Sequence, residues 1–343
     1  MNAFPKDTPI DQTALLIILT GSLGDVTRGL CLIKPLKTFW PRRPLVWLVE
    51  EKWAGLLQLN PYIDELIIFK RSAQPAELSG LKSELRRFHF HTSLDLQRIF
   101  KSGFLTFLAG ACLKLGFNRK NSKEFNWLFN NHHIPYYPDT LPKLEHYLKF
   151  LDYLKVPYPA KPDFGLDRKL MAGMLPPELD AGNTPYAVLA AGSSWPSKNW
   201  HVAGYRELAQ YLHTTYGLRS VITGDRSQIA VAHEIMDAKP SYITDLTGRT
   251  SLPQLAAVLS RAQIAVGPDS GAGHIAAAVQ TPYISLFGPT SPKRTAPYGY
   301  EHLVVQLAMP CIPCYNKNCP DNRCMRNIGI SEIKPKLDAV LAK

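Results

Sequence analysis

Residues 13–51 read TALLIILTGSLGDVTRGLCLIKPLKTFWPRRPLVWLVEE. The run at 14–19 is apolar at consecutive positions, as a strand buried on both faces reads. A Gly-Ser-Leu-Gly turn follows, then a helix of about three turns, then a second apolar run, PLVWLVE. Strand, turn, helix, strand is the seed of a parallel α/β sheet.

Working outward, DELIIF at 64–69 and HTSLDL at 91–96 read as further strands. VPYPAKPDFGL at 156–166 is dotted with prolines and reads as an interdomain linker. The pattern then restarts. YAVLAAG gives a strand, and VAGYRELAQYLHTTYG an amphipathic helix with Val202, Tyr205, Leu208, Ala209, Leu212 and Tyr216 on one side, closed by Gly217. RSVITGD, QIAVG and YISLFG read as strands, LPQLAAVLSRA and AGHIAAAV as helices. The chain is therefore expected to hold two doubly wound α/β domains in series, with ligands beyond the carboxyl ends of their strands.

A length of 343 residues is enough for two such cores. Apolar residues make up 45% and charged residues 20%, a globular rather than disordered balance. The formal charge of +11 favours anionic partners. Residues 1–165 carry 22 basic and 15 acidic side chains, so the excess leans to the first half. The opening MNAFPKDTPIDQT holds no apolar run of signal-peptide length, and ALLIIL is too short to span a bilayer. The expected location is cytoplasmic, with peripheral contact at an anionic membrane face.

Five turns carry residues suited to chemistry. The first is GPDSGAGH at 267–274, at a strand end and a helix start. Free amides and the helix dipole there favour a phosphate, and glycines let it approach the backbone. Asp269 or Ser270 as a simple cap is the bland alternative, but it does not account for Gly271, Gly273 and His274 together. The second is TGSLGD at 20–25, where Asp25 is either a dipole-complementing first-turn acid or a general base. The third is AAGSSWPSKNW at 190–200, with Ser193, Ser194 and Lys198, a point charge for a leaving group or a solvated lysine. The fourth is LTGRTSLPQLAAVL at 246–259, where Arg249, Thr250 and Ser251 precede a helix that Thr250 or Ser251 would cap. The fifth is CIPCYNKNCPDNRC. Its Cys311, Cys314, Cys319 and Cys324 resemble a zinc cluster, with a structural knot or reduced thiols left equally open by the short outer spacings.

Taken together, these segments resemble glycosyltransferase family nine, the ADP-heptose:lipopolysaccharide heptosyltransferases. The likeness runs through GSLGDV, the stretch from 35 to 69, DLQRIFKSGFLTFLAGACLKLGFNR at 95–119, and VGPDSGAGHIAAAVQTPYISLFGPTSP at 266–292. The resemblance implies a GT-B fold, two Rossmann-like doubly wound domains facing across a cleft. Residues 1–165 would bind the acceptor and 180–330 the nucleotide sugar, with 331–343 as a C-terminal helix. It implies that Asp25 is the catalytic carboxylate and that Lys198 contacts the donor phosphates. Asp269, Ser270, Gly271, Gly273 and His274 form the donor turn, with Ser193 and Ser194 beside it and Arg249, Thr250 and Ser251 at the adenine edge. One departure stands out: after VITG the family's ribose-holding acid is expected, whereas GDRSQ offers only Asp225, earlier than expected.

The reaction so implied is an inverting, metal-independent transfer from ADP-heptose to a hydroxyl of a lipid-linked inner-core acceptor. Asp25 takes the hydroxyl proton; Lys198 and the amides at 270–273 neutralise the departing diphosphate. No DxD-type motif stands out, and no metal or other cofactor is expected. Use of another sugar nucleotide or acceptor is the alternative within the family. A nicotinamide oxidoreductase is disfavoured because G-x-x-G-D lacks the third glycine of the dinucleotide fingerprint. A nucleic-acid partner is not expected, since the aromatics are not interleaved with the basic residues as a stacking platform needs. A non-catalytic nucleotide-sugar binder would need no carboxylate like Asp25.

Overall fold

The computed structural model describes residues 13–70, 75–180, 184–237 and 240–342. The residues read above for a leader, 1–12, lie outside that set. The chain divides into two compact units, the first ending at Asp167 and the second beginning at Arg168.

The strands of the first unit are β1 (Leu15–Ile18), β2 (Leu45–Glu50), β3 (Glu65–Phe69), β4 (Thr92–Asp95), β5 (Leu113–Gly116) and β6 (His132–His133). All pair parallel, in the order β3-β2-β1-β4-β5-β6. Its helices are α1 (Leu23–Gly29), α2 (Ile33–Phe39), α3 (Glu51–Leu57), α4 (Pro75–Arg87), α5 (Phe100–Ala109) and α6 (Lys143–Leu154). Every residue of β1 and β2 is buried, which is why neither strand alternates in sequence. Leu16, Ile18, Val46 and Leu48 meet Leu81 and Leu85 of α4 and Leu105 and Leu108 of α5. The opposite face is covered as well, since Leu15, Ile17 and Trp47 are fully buried.

One helix departs from expectation, and another ends at a glycine. The single helix after β1 is broken into α1 and α2 by a 3-10 turn at Leu30–Leu32. Pro35 has no amide to donate and its ring crowds the carbonyl of residue 31, so the preceding turn tightens. Helix α5 stops at Ala109, where Gly110 takes φ 69° in the left-handed region, and β5 follows from Leu113.

The second unit opens with α7 (Arg168–Ala172) and α8 (Pro177–Asp180). Its strands are β7 (Tyr186–Ala190), β8 (Arg219–Thr223), β9 (Ile243–Asp245), β10 (Ile264–Pro268), β11 (Tyr283–Phe287) and β12 (Val304–Gln306). They form a second parallel sheet, in the order β12-β11-β10-β7-β8-β9. The helices are α9 (Val202–Tyr216), α10 (Ile229–Ile235), α11 (Leu252–Arg261), α12 (Gly271–Ala278), α13 (Pro292–Thr295), α14 (Arg323–Arg326) and α15 (Ile330–Leu341). Tyr205, Leu208, Ala209 and Leu212 of α9 are buried, while Val202 and Tyr216 only flank that core. Ile333 and Leu337 of α15 join the same cluster.

Counted within each unit, both sheets read 3-2-1-4-5-6. The strand order reverses between β1 and β4 in the first sheet and between β7 and β10 in the second. These switch points are where open α/β sheets leave a crevice for ligands. Among the described residues, no helix is long and apolar enough to cross a membrane.

Candidate active site

In the first unit, the turn after β1 is held by the loop after β4. Gln97 Oε1 accepts from Thr20 N at 3.1 Å and Thr20 Oγ1 at 2.7 Å, and its Nε2 donates to Gly21 O at 2.7 Å. Gln97 N in turn donates to Asp95 Oδ1 at 3.1 Å. Burial pushes the Asp95 carboxyl up, partly offset by Asn126 Nδ2, which donates at 2.6 Å. The entry to α1 is thus fixed from a neighbouring strand.

Asp25 sits in the first turn of α1 but does not cap it. Its Oδ1 accepts from Arg28 Nη2 at 2.6 Å and Lys143 Nζ at 3.2 Å, and its Oδ2 accepts from Ser22 Oγ at 3.1 Å. Burial alone would raise this carboxyl; the Lys143 ammonium and the Arg28 guanidinium outweigh it and hold the group well below the usual carboxylate range. The Tyr147 phenol faces the same carboxylate, and burial first, then the Asp25 charge, push it well above its ordinary value. Beside these groups lies a pocket of about 150 Å³, lined by Asp25, Gln97, Arg98, Lys123, Lys143, His146 and Tyr147 with Leu19, Leu96, Ile99 and Phe117.

In the second unit, Lys198 closes a 3-10 turn at Pro196–Lys198 and reaches to the end of β10. Its Nζ donates to Asp269 Oδ2 at 2.7 Å, and Thr290 Oγ1 donates to the same oxygen at 2.8 Å. The two side chains are only 13% and 8% exposed, so the lysine is a nearly buried, paired cation. Its Nζ also lies 4.5 Å from the Trp195 ring centroid, with Lys317 Nζ 5.1 Å from the same centroid. Ser270 precedes α12 without a side-chain cap, leaving the helix's first amides unbonded by it. A Cβ on Gly273 would stand 2.9 Å from Tyr283 Cε1, so that glycine lets α12 pack close on β11.

The strand-end turn of the second unit has a counterpart among known sequences: the glycosyltransferase family 9 (heptosyltransferase) model matches residues 79–324, a stretch that begins after the turn at 20–25. The chain belongs to glycosyltransferase family 9. It is 28% identical over 298 residues to lipopolysaccharide core heptosyltransferase OpsX of Haemophilus influenzae, covering 86% of this chain and 84% of that protein. It is 29% identical over 326 residues to lipopolysaccharide heptosyltransferase 1 of Pseudomonas aeruginosa, covering 89% and 87%. The structure of E. coli heptosyltransferase WaaC with ADP superposes at TM-score 0.79 with 25% identity, covering 95% of this chain and 99% of that one. The two-sheet α/β architecture is that of the GT-B heptosyltransferases, and the protein is a glycosyltransferase.

In this family 9 glycosyltransferase the structure joins Lys198 to Asp269 directly. Ser193 instead serves its own loop: its N donates to Asn199 Oδ1 at 2.8 Å, and its Oγ accepts from Trp195 N at 3.2 Å. Ser194 is exposed, and His274 is buried in α12. Arg249, Thr250 and Ser251 lie apart, after the edge strand β9. Ser251 caps α11 in a capping box with Gln254, and Arg249 pairs with Glu178. Asp225 caps its own 3-10 turn, its Oδ1 accepting from Ser227 N at 2.7 Å. Arg43 is 1% exposed and donates from Nε to Thr13 O at 2.9 Å.

Sequence reading missed Gln97, Lys143, Tyr147, Trp195, Thr290 and Lys317. Thr290 alone carried a local signal, in the Gly-Pro-Thr that closes the 267–290 stretch. Cys311 and Cys314 are exposed, Cys319 is half-buried and Cys324 is buried. Burial, then the three neighbouring thiols, raise Cys324. Among the described residues, no three or more His, Cys, Asp or Glu side chains are grouped to hold a metal ion.

Proposed function

We propose that this glycosyltransferase moves a heptose from ADP-heptose to a hydroxyl of the lipopolysaccharide inner core, with inversion and without a metal ion. The observation that carries the reading is Asp25, an ionised carboxylate at a strand-end turn beside a pocket in the first unit. Residues 1–165 would take the acceptor and residues 180–330 the donor. The names and bound ligands of the relatives support heptose and ADP.

Asp25 accepts the acceptor's hydroxyl proton as its oxygen attacks the anomeric carbon. One displacement on one face inverts that centre. Charge grows on the leaving diphosphate, where Lys198 and the first amides of α12 stabilise it. Lys317 adds a second cation beside Trp195. These groups do the neutralising work a metal would otherwise do. Arg249 to Ser251 follow β9, three strand positions from β10, roughly 14 Å at ordinary spacing. That span suits a nucleoside reaching from diphosphate to base.

The test is incubation of the protein with ADP-heptose and an inner-core acceptor in excess EDTA. The expected result is ADP release matched by product whose new anomeric centre has the configuration opposite to the donor's. Retention, loss of activity in EDTA, or preference for a UDP-sugar overturns the corresponding part of the reading.

The site of action we infer is the cytoplasmic face of the inner membrane, with peripheral contact. Phe100 and Phe107 of α5 are 52% and 60% exposed, and Phe125 and Leu128 are 72% and 61% exposed. The α5 end and the 3-10 turn at Asn126–Phe129 meet through Phe100 and Phe129, with ring centroids 5.2 Å apart. Arg119, Lys120 and Lys123 lie on the intervening chain. Apolar side chains with basic neighbours suit an anionic leaflet. Sedimentation with vesicles containing anionic lipid is expected at low salt, and Phe107→Ser with Phe125→Ser weakens it; equal recovery with neutral vesicles would remove the electrostatic part.

A further inference from the structure

Asp25 cannot accept a proton in the arrangement above without releasing a partner. A carboxylate oxygen offers about two lone-pair directions. Oδ1 uses both, on Arg28 at 2.6 Å and Lys143 at 3.2 Å; Oδ2 holds Ser22 Oγ at 3.1 Å, and the Tyr147 phenol hydrogen-bonds the same carboxylate. The geometry decides which cation yields. Arg28 is 7% exposed, stands one turn along the same helix and makes the shorter bond. Lys143 is 30% exposed, comes from the start of α6 and makes the longer one. Its flexible stem lets the ammonium swing while α6 stays in place.

The pocket supplies a destination. Arg98, Lys123 and Lys143 line it, and among its described lining residues Asp25 is the only acid. Arg98 is already paired, through Nη1, with Asp139 at 3.1 Å. Lys123 lines the same pocket, and Lys143, held by Asp25 at 3.2 Å, reaches an incoming charge by exchanging that partner.

We propose that this pocket takes a carboxylate or phosphate borne by the acceptor sugar, and that this anion draws Lys143 away from Asp25 as the acceptor seats. The idea rests on the transferase reading given above. Lys143 then acts as a positioning residue: it masks the base in the resting protein and orients the acceptor in the complex. With Lys143 withdrawn, Arg28 and Ser22 from the α1 end and Tyr147 from α6 face Asp25, and Arg98 and His146 line the same pocket. Burial, which opposes ionisation, then counts for more, and the carboxylate gains basicity. The hydroxyl proton passes to Oδ1 as the new carbon–oxygen bond forms. The anomeric bond to the diphosphate breaks, and its electron pair leaves with ADP. Water carries no anion, so it leaves Lys143 in place and the base masked; hydrolysis of the donor is suppressed.

The test compares wild type, Lys143→Met and Lys143→Arg on three acceptors: intact, carboxyl-esterified and phosphatase-treated. Wild type is expected to lose roughly 30–100-fold in kcat/KM on whichever acceptor lacks the recognised anion. That identifies carboxylate or phosphate. Lys143→Met, which neither masks the base nor holds the anion, is expected to differ less than about threefold between acceptors. Lys143→Arg recovers discrimination. Equal discrimination by Lys143→Met and wild type overturns the proposal, as does an equal loss on every acceptor, which a merely structural lysine would give. Melting temperatures check that each variant is folded.

Binding of inorganic phosphate to the Lys198→Met protein, followed by phosphorus NMR, gives a readout free of turnover. It is expected to vanish in Lys198→Met with Lys143→Met. If wild type transfers sugar to no acceptor yet phosphate still binds through Lys143, the transferase reading fails and the anion pocket stands. If transfer proceeds but phosphate binding does not depend on Lys143, the pocket proposal alone falls.

Discussion

Asp25→Asn lowers kcat by about 10²–10⁴-fold, the usual contribution of a positioned general base. Asn keeps the shape of the side chain and removes the proton acceptor. ADP-heptose affinity holds, because every donor contact proposed here comes from residues after 180. The fold survives at a cost: Arg28, only 7% exposed, loses the carboxylate that pairs with it at 2.6 Å. A buried pair broken from one side typically costs about 3–5 kcal/mol, and the 20% exposure of Asp25 places the expected loss below that range. Steady-state assay beside a melting curve separates the two effects. Turnover within threefold of wild type in a folded variant removes Asp25 from the chemistry. The sign of the pH dependence follows from the same contacts. A carboxyl whose folded-state value is depressed contributes stability that is complete above its unfolded value, near 4, and disappears as pH falls through the folded value. In the free protein no acid limb from Asp25 enters kcat/KM at mildly acidic pH.

Lys198→Met lowers kcat/KM by about 10²–10³-fold, on the scale of one preorganised donor removed from a developing anion. The loss is expected in kcat as well as in donor affinity, since the diphosphate gains charge as the anomeric bond breaks. Lys198→Arg recovers part of it by keeping the charge, though its planar fork meets Asp269 differently. Asp269 keeps Thr290 as a hydrogen-bond donor at 2.8 Å in either variant, so a folded protein remains for assay. Calorimetry with ADP and steady-state kinetics on the same preparations check this. Unchanged kcat with only weaker ADP binding would assign Lys198 to ground-state attachment alone.

Strands β1, β2, β7, β10 and β11 were legible because parallel strands covered on both faces spell unbroken apolar words. Gly217 marked the end of α9 because it adopts φ 65° there. The break between α1 and α2 was written in Pro35 and overlooked, because the amphipathic pattern continues through it. Legibility falls off where a side chain's partner is distant in sequence. Asp25 and Lys143 are separated by 118 residues, and Thr20 and Gln97 by 77. No window of local periodicity spans such a gap; only the sheet, by setting β4 beside β1, brings Gln97 to the turn. Arg43 shows the converse. A guanidinium ordinarily lies at the surface, yet the carbonyl of Thr13, just before β1, takes this one inside.

The matching strand orders of the two sheets bear on engineering. In each, a loop following the first strand is gripped by a loop following the fourth: amide clamp in one copy, ion pair in the other. The same crevice plan thus occurs twice in the chain. Because each copy completes its grip within its own half, chimeras that exchange one half between relatives are expected to keep both grips whole, and their melting curves check it.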